Sequence, residues 1–219
     1  LAELVSVSVA LAIFFIVWNS RQYVQNGYML FLGIAYFFVA ALDLVHTLAY
    51  TGMGVFPGYG TNLATQLWIA SRYVESLSFL VAPFFLRRKC KVTWVFLSYA
   101  VVSSLLLLSI FYWNIFPVSF DDVNNRLTPF KETSEFIIIG ILLAASLVLF
   151  RSRSAFDPRV LRWVSWSVVL TMASEFMFTR YTNPYEWTNA LGHILKVVSF
   201  YCVYKALIEI GLRIGRASC

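Results

Sequence analysis

Charge is what this sequence has least of. Asp, Glu, Lys and Arg together make up 13% of its 219 residues, about half the share carried by a soluble domain. A chain so poor in charge is not expected to fold in water around a single core. Alternation of period two, the mark of a membrane barrel, is missing as well. Cysteine is scarce, and Cys90, Cys202 and Cys219 all lie away from the expected outer links, so no disulfide framework is implied. There is no CxxC pair and no zinc-ligand spacing. The Walker lysine loop, HExxH and the nucleophile elbow are all lacking, and no catalysis is expected within this chain. Spans interrupted by Gly and Pro in matching halves would point to a transporter; Pro83 alone interrupts a run.

What is present is apolar length. Sixty per cent of the residues are hydrophobic and 18% aromatic, with a mean hydropathy of +0.74. Apolar runs near 1–18, 28–50, 62–86, 92–113, 133–150, 160–178 and 189–211 approach or reach the roughly 20 residues that cross a bilayer as a helix. The expected fold is an all-α integral membrane protein, a seven-helix transmembrane bundle over residues 1–211. Residues 212–219 then begin a cytoplasmic linker. Leu1 opens the chain without a basic start or a cleavage site, so the first run is not a signal peptide. With the helical ending EIGLRIGRASC, this reads as a piece of a longer chain.

The net charge of +6 is explained by topology. Arg21, the set Arg87, Arg88, Lys89 and Lys91, the set Arg151, Arg153, Arg159 and Arg162, and finally Arg213 and Arg216 occupy links on one side. The other side carries Arg126, Lys131 and Arg180 beside Asp121, Asp122, Glu132 and Glu186. Basic residues stay cytoplasmic, so the N-terminus is expected outside and the C-terminus in the cytoplasm. Lipid is the partner this implies, not nucleic acid. Trp18, Trp94, Trp113, Trp163 and Trp187 fall near run ends, where aromatic belts form.

Ionisable residues inside spans are costly and face the bundle interior. Here they are Asp43 and His46 in the second run, Arg72 and Glu75 in the third, Glu175 in the sixth, and His193 and Lys196 in the seventh. Asn62, Gln66, Tyr73, Tyr50 and Asn189 add neutral polar groups. Residues three, four or seven apart share a helix face. Asp43 with His46, Arg72 with Glu75, Asn189 with His193 and Lys196, and Asn62 with Gln66 and Tyr73 therefore form stripes. The rise per residue places them in the outer half of the bundle. Asp43, His46, Gln66, Arg72, Tyr73, Glu75, Glu175, His193 and Lys196 are the candidate ligand-binding residues. The loop TGMGVFPGYGTN, residues 51–62, is expected to fold back as a lid, its glycines permitting positive φ. NIFPVSFDDVNNRLTPFKE, residues 114–132, is expected to be an ordered turn or a short amphipathic element.

Plainer readings compete with a binding site. Arg72 and Glu75 could merely neutralise each other, Lys196 could snorkel to the outer headgroups, and the polar residues could form a structural core. Two coloured cofactors are also compatible with the sequence. His46 and His193, on different helices at matched depth, could be axial ligands of a haem b. Lys196 could carry a retinal Schiff base with Glu75 as counter-ion.

The stretches LGIAYFFVAALDLVHTLAYTGMGVF and TNLATQLWIASRYVESLSFLVAPFFL resemble the third family of bacterial membrane-associated sensor domains, the MASE group. The D-x-x-H-T-L-x-Y-x-G-M-G and A-T-Q-L-W-I-A-x-R-Y-x-E blocks carry the resemblance, which extends over most of the chain. It implies an N-terminal sensory input in the bacterial inner membrane, joined in cis to a cytoplasmic histidine kinase, as in two-component systems, or a diguanylate cyclase making cyclic di-GMP. It also implies one more helix upstream. The resemblance adds weight to Asp43, His46, Gln66, Arg72 and Glu75, which fall inside the blocks. It assigns no ligand. A homodimer is plausible for such an input, although no small-residue face specifies one.

Overall fold

The computed structural model describes residues 1–22, 26–179 and 187–217, the segment 211–217 by backbone alone. Arg180, Glu186 and Cys219, and the side chains of Arg213 and Arg216, lie outside the described residues. The chain is an all-α membrane fold, with seven helices among the described residues. These are α1 (Ala2–Ser20), α2 (Gly27–Leu48), α3 (Thr61–Val81), α4 (Val92–Phe111), α5 (Pro129–Arg151), α6 (Pro158–Phe178) and α7 (Trp187–Ala217).

The helix starts follow from local chemistry. Asn26 accepts from the amides of Tyr28 and Met29 at the head of α2. Thr128 caps α5 and Asp157 caps α6, each followed by a proline at the first helical position; proline sacrifices no bond there, because that amide has no helical partner. The Thr-Pro pair starts α5 at Pro129, four residues before the expected apolar run, and this draws Lys131 out of the outer link and into the helix. Pro83 closes α3 through a 3₁₀ turn, Ala82–Phe85.

Five helices, α1, α2, α4, α5 and α7 as far as Ile210, are long and apolar enough to cross a membrane. With 21 residues each, α3 and α6 match them in length, but they carry too many polar groups to meet the same criterion. Packing explains α3: Ser71, Arg72 and Glu75 are at most 1% exposed, so protein surrounds them where lipid would not tolerate them. α2 is buried along most of its length, and α4 turns most of its surface outward. α6 packs most extensively on α7, α1 on α2 and on α7, and α3 on α2 and α5.

The two long outer connections differ from expectation in one respect. The α4–α5 link holds a short antiparallel pair, β1 (Phe120–Asp121) with β2 (Arg126–Leu127), Phe120 opposite Leu127. The link is fastened to the start of α3. Asp122 accepts from the amides of Thr61 and Asn62, Asn62 accepts from those of Ser119 and Phe120, and Gln66 donates to the carbonyls of Phe116 and Pro117. The 51–62 loop does take positive φ at Gly54 and Gly58, and Phe56 and Tyr59 pack on Phe111 of α4. Its apolar Met53 and Val55 do not pack back on the helix ends. Met53 and Val55 are about half exposed, at 50% and 47%.

Candidate functional site

Helices α1, α2, α3 and α7 converge on a continuous chain of buried ionic contacts. It begins on α7, where His193 Nδ1 lies 2.5 Å from Glu3 Oε1 of α1. Glu3 Oε2 accepts from Lys196 Nζ at 2.7 Å, and the same ammonium lies 2.8 Å from Asp43 Oδ2 of α2. Asp43 in turn accepts from Arg72 Nη2 of α3 with both carboxylate oxygens at 2.8 Å, and from Ser71 Oγ at 2.6 Å. Arg72 also pairs with Glu75, which accepts from the Tyr36 hydroxyl of α2 at 3.2 Å. Asp43, Arg72, Glu75 and Lys196 are at most 2% exposed.

Charges so deeply buried persist only when paired and hydrogen-bonded. The chain meets that demand by alternating sign: Glu3, Lys196, Asp43, Arg72, Glu75. Three carboxylates thus alternate with two cationic side chains, and the His193 imidazole stands at the α7 end of the chain beside Glu3. Spacing on each helix makes this geometry available. Arg72 and Glu75 share a face of α3, and His193 and Lys196 share a face of α7. Snorkelling of Lys196 is thereby excluded, since its ammonium is held between Glu3 and Asp43. Arg72 and Glu75 do pair, but Arg72 also ties α3 to α2.

Trp68, one turn before Arg72, sits against the network. Its ring centroid lies 4.8 Å from the Arg72 guanidinium carbon and 4.6 Å from Lys196 Nζ, within the range of cation–π attraction. The His46 ring lies 5.3 Å away and the His193 ring 5.7 Å away. His46, Tyr50, Thr65, Trp68, Asn189 and His193 are among the residues around a small cavity of ≈30 Å³, room for about one or two water-sized guests. His46 Nδ1 is 2.7 Å from the Ala64 carbonyl, so in the neutral ring Nδ1 carries the proton and Nε2 is left as an acceptor. Both His46 Nε2 and Trp68 Nε1 are buried without a hydrogen-bond partner among the described residues. Two residues of the cavity wall thus carry an acceptor and a donor that a polar guest could use.

Several expected site residues are placed differently. Gln66 serves the outer link. Tyr73 is half-buried among apolar side chains. Glu175 is 1% exposed, and neither carboxylate oxygen has a hydrogen-bond partner among the described residues. His46 stands beside the ionic chain and not in it. Asp43 and His46 share a helix face, yet Asp43 turns to Arg72 and Lys196 while His46 turns to Ala64. For a haem held by both imidazoles the arrangement is unfavourable, because the Trp68 indole fills the space near both rings and the cavity is far smaller than the group. The retinal assignment meets a similar difficulty: Lys196 is engaged by Glu3 and Asp43, and Glu75 by Arg72 and Tyr36.

Three contributors escaped the sequence reading. Glu3 lies two residues from the chain start and shares no stripe with any other charge. Lys131, a link charge by sequence, is 1% exposed, pairs with Glu135 at 2.6 Å and donates to the Phe178 carbonyl. Its i, i+4 spacing to Glu135 was the available signal. Trp68 looked like one more apolar residue of α3.

The pattern of a membrane-associated sensor domain, MASE3, matches residues 1–214. No curated protein and no solved structure matches the chain.

Proposed function

The chain belongs to this family of membrane-associated sensor domains, and from that premise we propose that it is the sensory input of a bacterial signalling protein in the inner membrane. A small polar stimulus acts at the outer cavity beside His46, Trp68 and His193. The ionic chain passes its effect to α7, which runs on for 31 residues toward a cytoplasmic output domain of the histidine kinase or diguanylate cyclase type. The observation that carries this reading is the position of Lys196. One ammonium on α7 is held by a carboxylate of α1 and a carboxylate of α2, so any change in those pairings moves the helix that leads out of the membrane.

Magnitudes constrain how such a switch works. Leaving a buried ion without its partner costs about 3–5 kcal/mol. A ligand shifts two states only by its differential affinity, and about 5.5 kcal/mol already requires a 10⁴-fold preference. A guest of one or two heavy atoms does not supply that. The stimulus therefore exchanges partners within the chain, for instance shifting Lys196 between Glu3 and Asp43, and leaves no ion bare.

The test uses the full-length protein. Asp43→Asn and Arg72→Ala are each expected to change output activity several-fold while the protein still inserts in the membrane. Normal output from both variants would overturn the reading. A change that appears only with loss of membrane insertion would leave the residues as structural and overturn it equally.

A further inference from the structure

At the opposite end of the bundle, two links distant in sequence meet around one cavity. The turn after α3 contributes Phe84, Arg87 and Arg88, and the turn after α5 contributes Arg151, Ser152 and Ser154, to a space of ≈360 Å³. No acid lines it. All three arginines are exposed, and none has an ion-pair partner among the described residues.

Three guanidiniums around one cavity repel one another. Membrane topology explains their side but not their convergence, since the positive-inside bias asks only that the charge stay cytoplasmic. Nearby arginines are accommodated in other ways. Arg153 stacks on Phe150 at 4.4 Å, and Arg159 reaches Glu209 at 3.6 Å. Arg87, Arg88 and Arg151 have no such accommodation among the described residues, and all three line the cavity. Guanidinium forks match phosphate oxygens in bidentate pairs, and serine hydroxyls add donors. Phe84, 61% exposed, sets an apolar surface directly beside the cations.

We propose that this cavity holds the phosphate headgroup of an anionic phospholipid of the cytoplasmic leaflet, with an acyl chain lying against Phe84. Basic pockets between helices at that face suit such headgroups. The bound lipid clamps the end of α3 to the end of α5. This assignment is independent of the sensory reading.

Native mass spectrometry of the full-length protein in detergent, offered phosphatidylglycerol or phosphatidylcholine, tests it. Wild type is expected to retain phosphatidylglycerol preferentially. The triple variant Arg87→Gln/Arg88→Gln/Arg151→Gln loses that preference by about tenfold or more, the weight of at least one charge-assisted hydrogen bond. A control, Arg21→Gln/Arg159→Gln/Arg162→Gln, removes equal charge from the same side and is expected to keep it. Equal loss in both triples would mean diffuse attraction and overturn the site, as would unchanged retention in the first. Displacement of the lipid by millimolar inorganic phosphate would assign the site to a soluble anion and overturn the lipid. Because the three arginines are exposed, all variants are expected to unfold at the wild-type temperature; single Arg88→Gln serves if the triple does not.

Discussion

Lys196 Nζ and Asp43 Oδ2 lie 2.8 Å apart with the lysine side chain 2% and the aspartate 0% exposed, which ion-pairs α7 to α2 in the interior of the bundle. Removing one member leaves the other buried and uncompensated. Asp43→Ala is therefore expected to destabilise the domain by about 3–5 kcal/mol. Lys196→Met combined with Asp43→Asn is expected to cost less than the two single changes together, because residues in one network couple. Thermal unfolding in detergent micelles reads all three variants. Additive losses would mean that the two residues do not act as a pair.

The tautomer of His46 is a second consequence of geometry. Its Nδ1 faces the Ala64 carbonyl, which can only accept. Nitrogen NMR of the labelled protein is expected to show, for the neutral ring, a protonated Nδ1 and a bare Nε2. A small polar molecule entering the cavity should then perturb the Nε2 resonance and the Trp68 indole N–H together, because both are buried groups of lining residues with no hydrogen-bond partner among the described residues. The opposite tautomer would remove the free acceptor on which the proposed stimulus site depends.

The fold was largely legible in the sequence because lipid imposes a simple rule: apolar length gives the spans. Spacing also paired Arg72 with Glu75 and placed His193 and Lys196 on one face. Which charge meets which across helices was not legible. Asp43 could have faced His46, its neighbour on the same face, but rotation of α2 against α3 and α7 set it between Arg72 and Lys196. Glu3 and Lys131 were hidden for a related reason. Each lies near a helix start, where sequence alone does not separate a solvated end from a buried one, and only the packing of α1 on α7 and of α5 on α3 decided it.

The junction of the α4–α5 link with α3 yields a third prediction. Asp122 accepts from the amides of Thr61 and Asn62, which at a helix start have no helical partner. Asp122→Ala is expected to cost about 1 kcal/mol and to speed hydrogen exchange at those two amides. A Cβ added at Gly60 would stand 2.4 Å from Asp122 Oδ2, so Gly60→Ala displaces the same carboxylate. It is expected to do little further harm once Asp122 is already Ala. Full harm from Gly60→Ala in that background would place its effect elsewhere.

The hairpin turn before β2 titrates in a way that separates it from any physiological pH response. Asp121 accepts from the Asn124 side-chain amide at 2.7 Å and from the Asn124 and Val123 backbone amides at 3.1 Å each, with Arg126 nearby. These bonds, the Asn124 side chain first, hold its carboxyl below the ordinary aspartate range. A folded-state pKa below the unfolded one contributes stability that is fully present above the unfolded value, about 3.9. That contribution is lost as pH falls through the folded value. Protection of the Val123 and Asn124 amides, corrected for intrinsic exchange, is therefore expected to be flat between about pH 5 and 8 and to fall only under stronger acid. Asp121→Asn keeps a side-chain acceptor for the backbone amides and should blunt the acid loss. Protection that changed near neutrality would show that another group controls the turn.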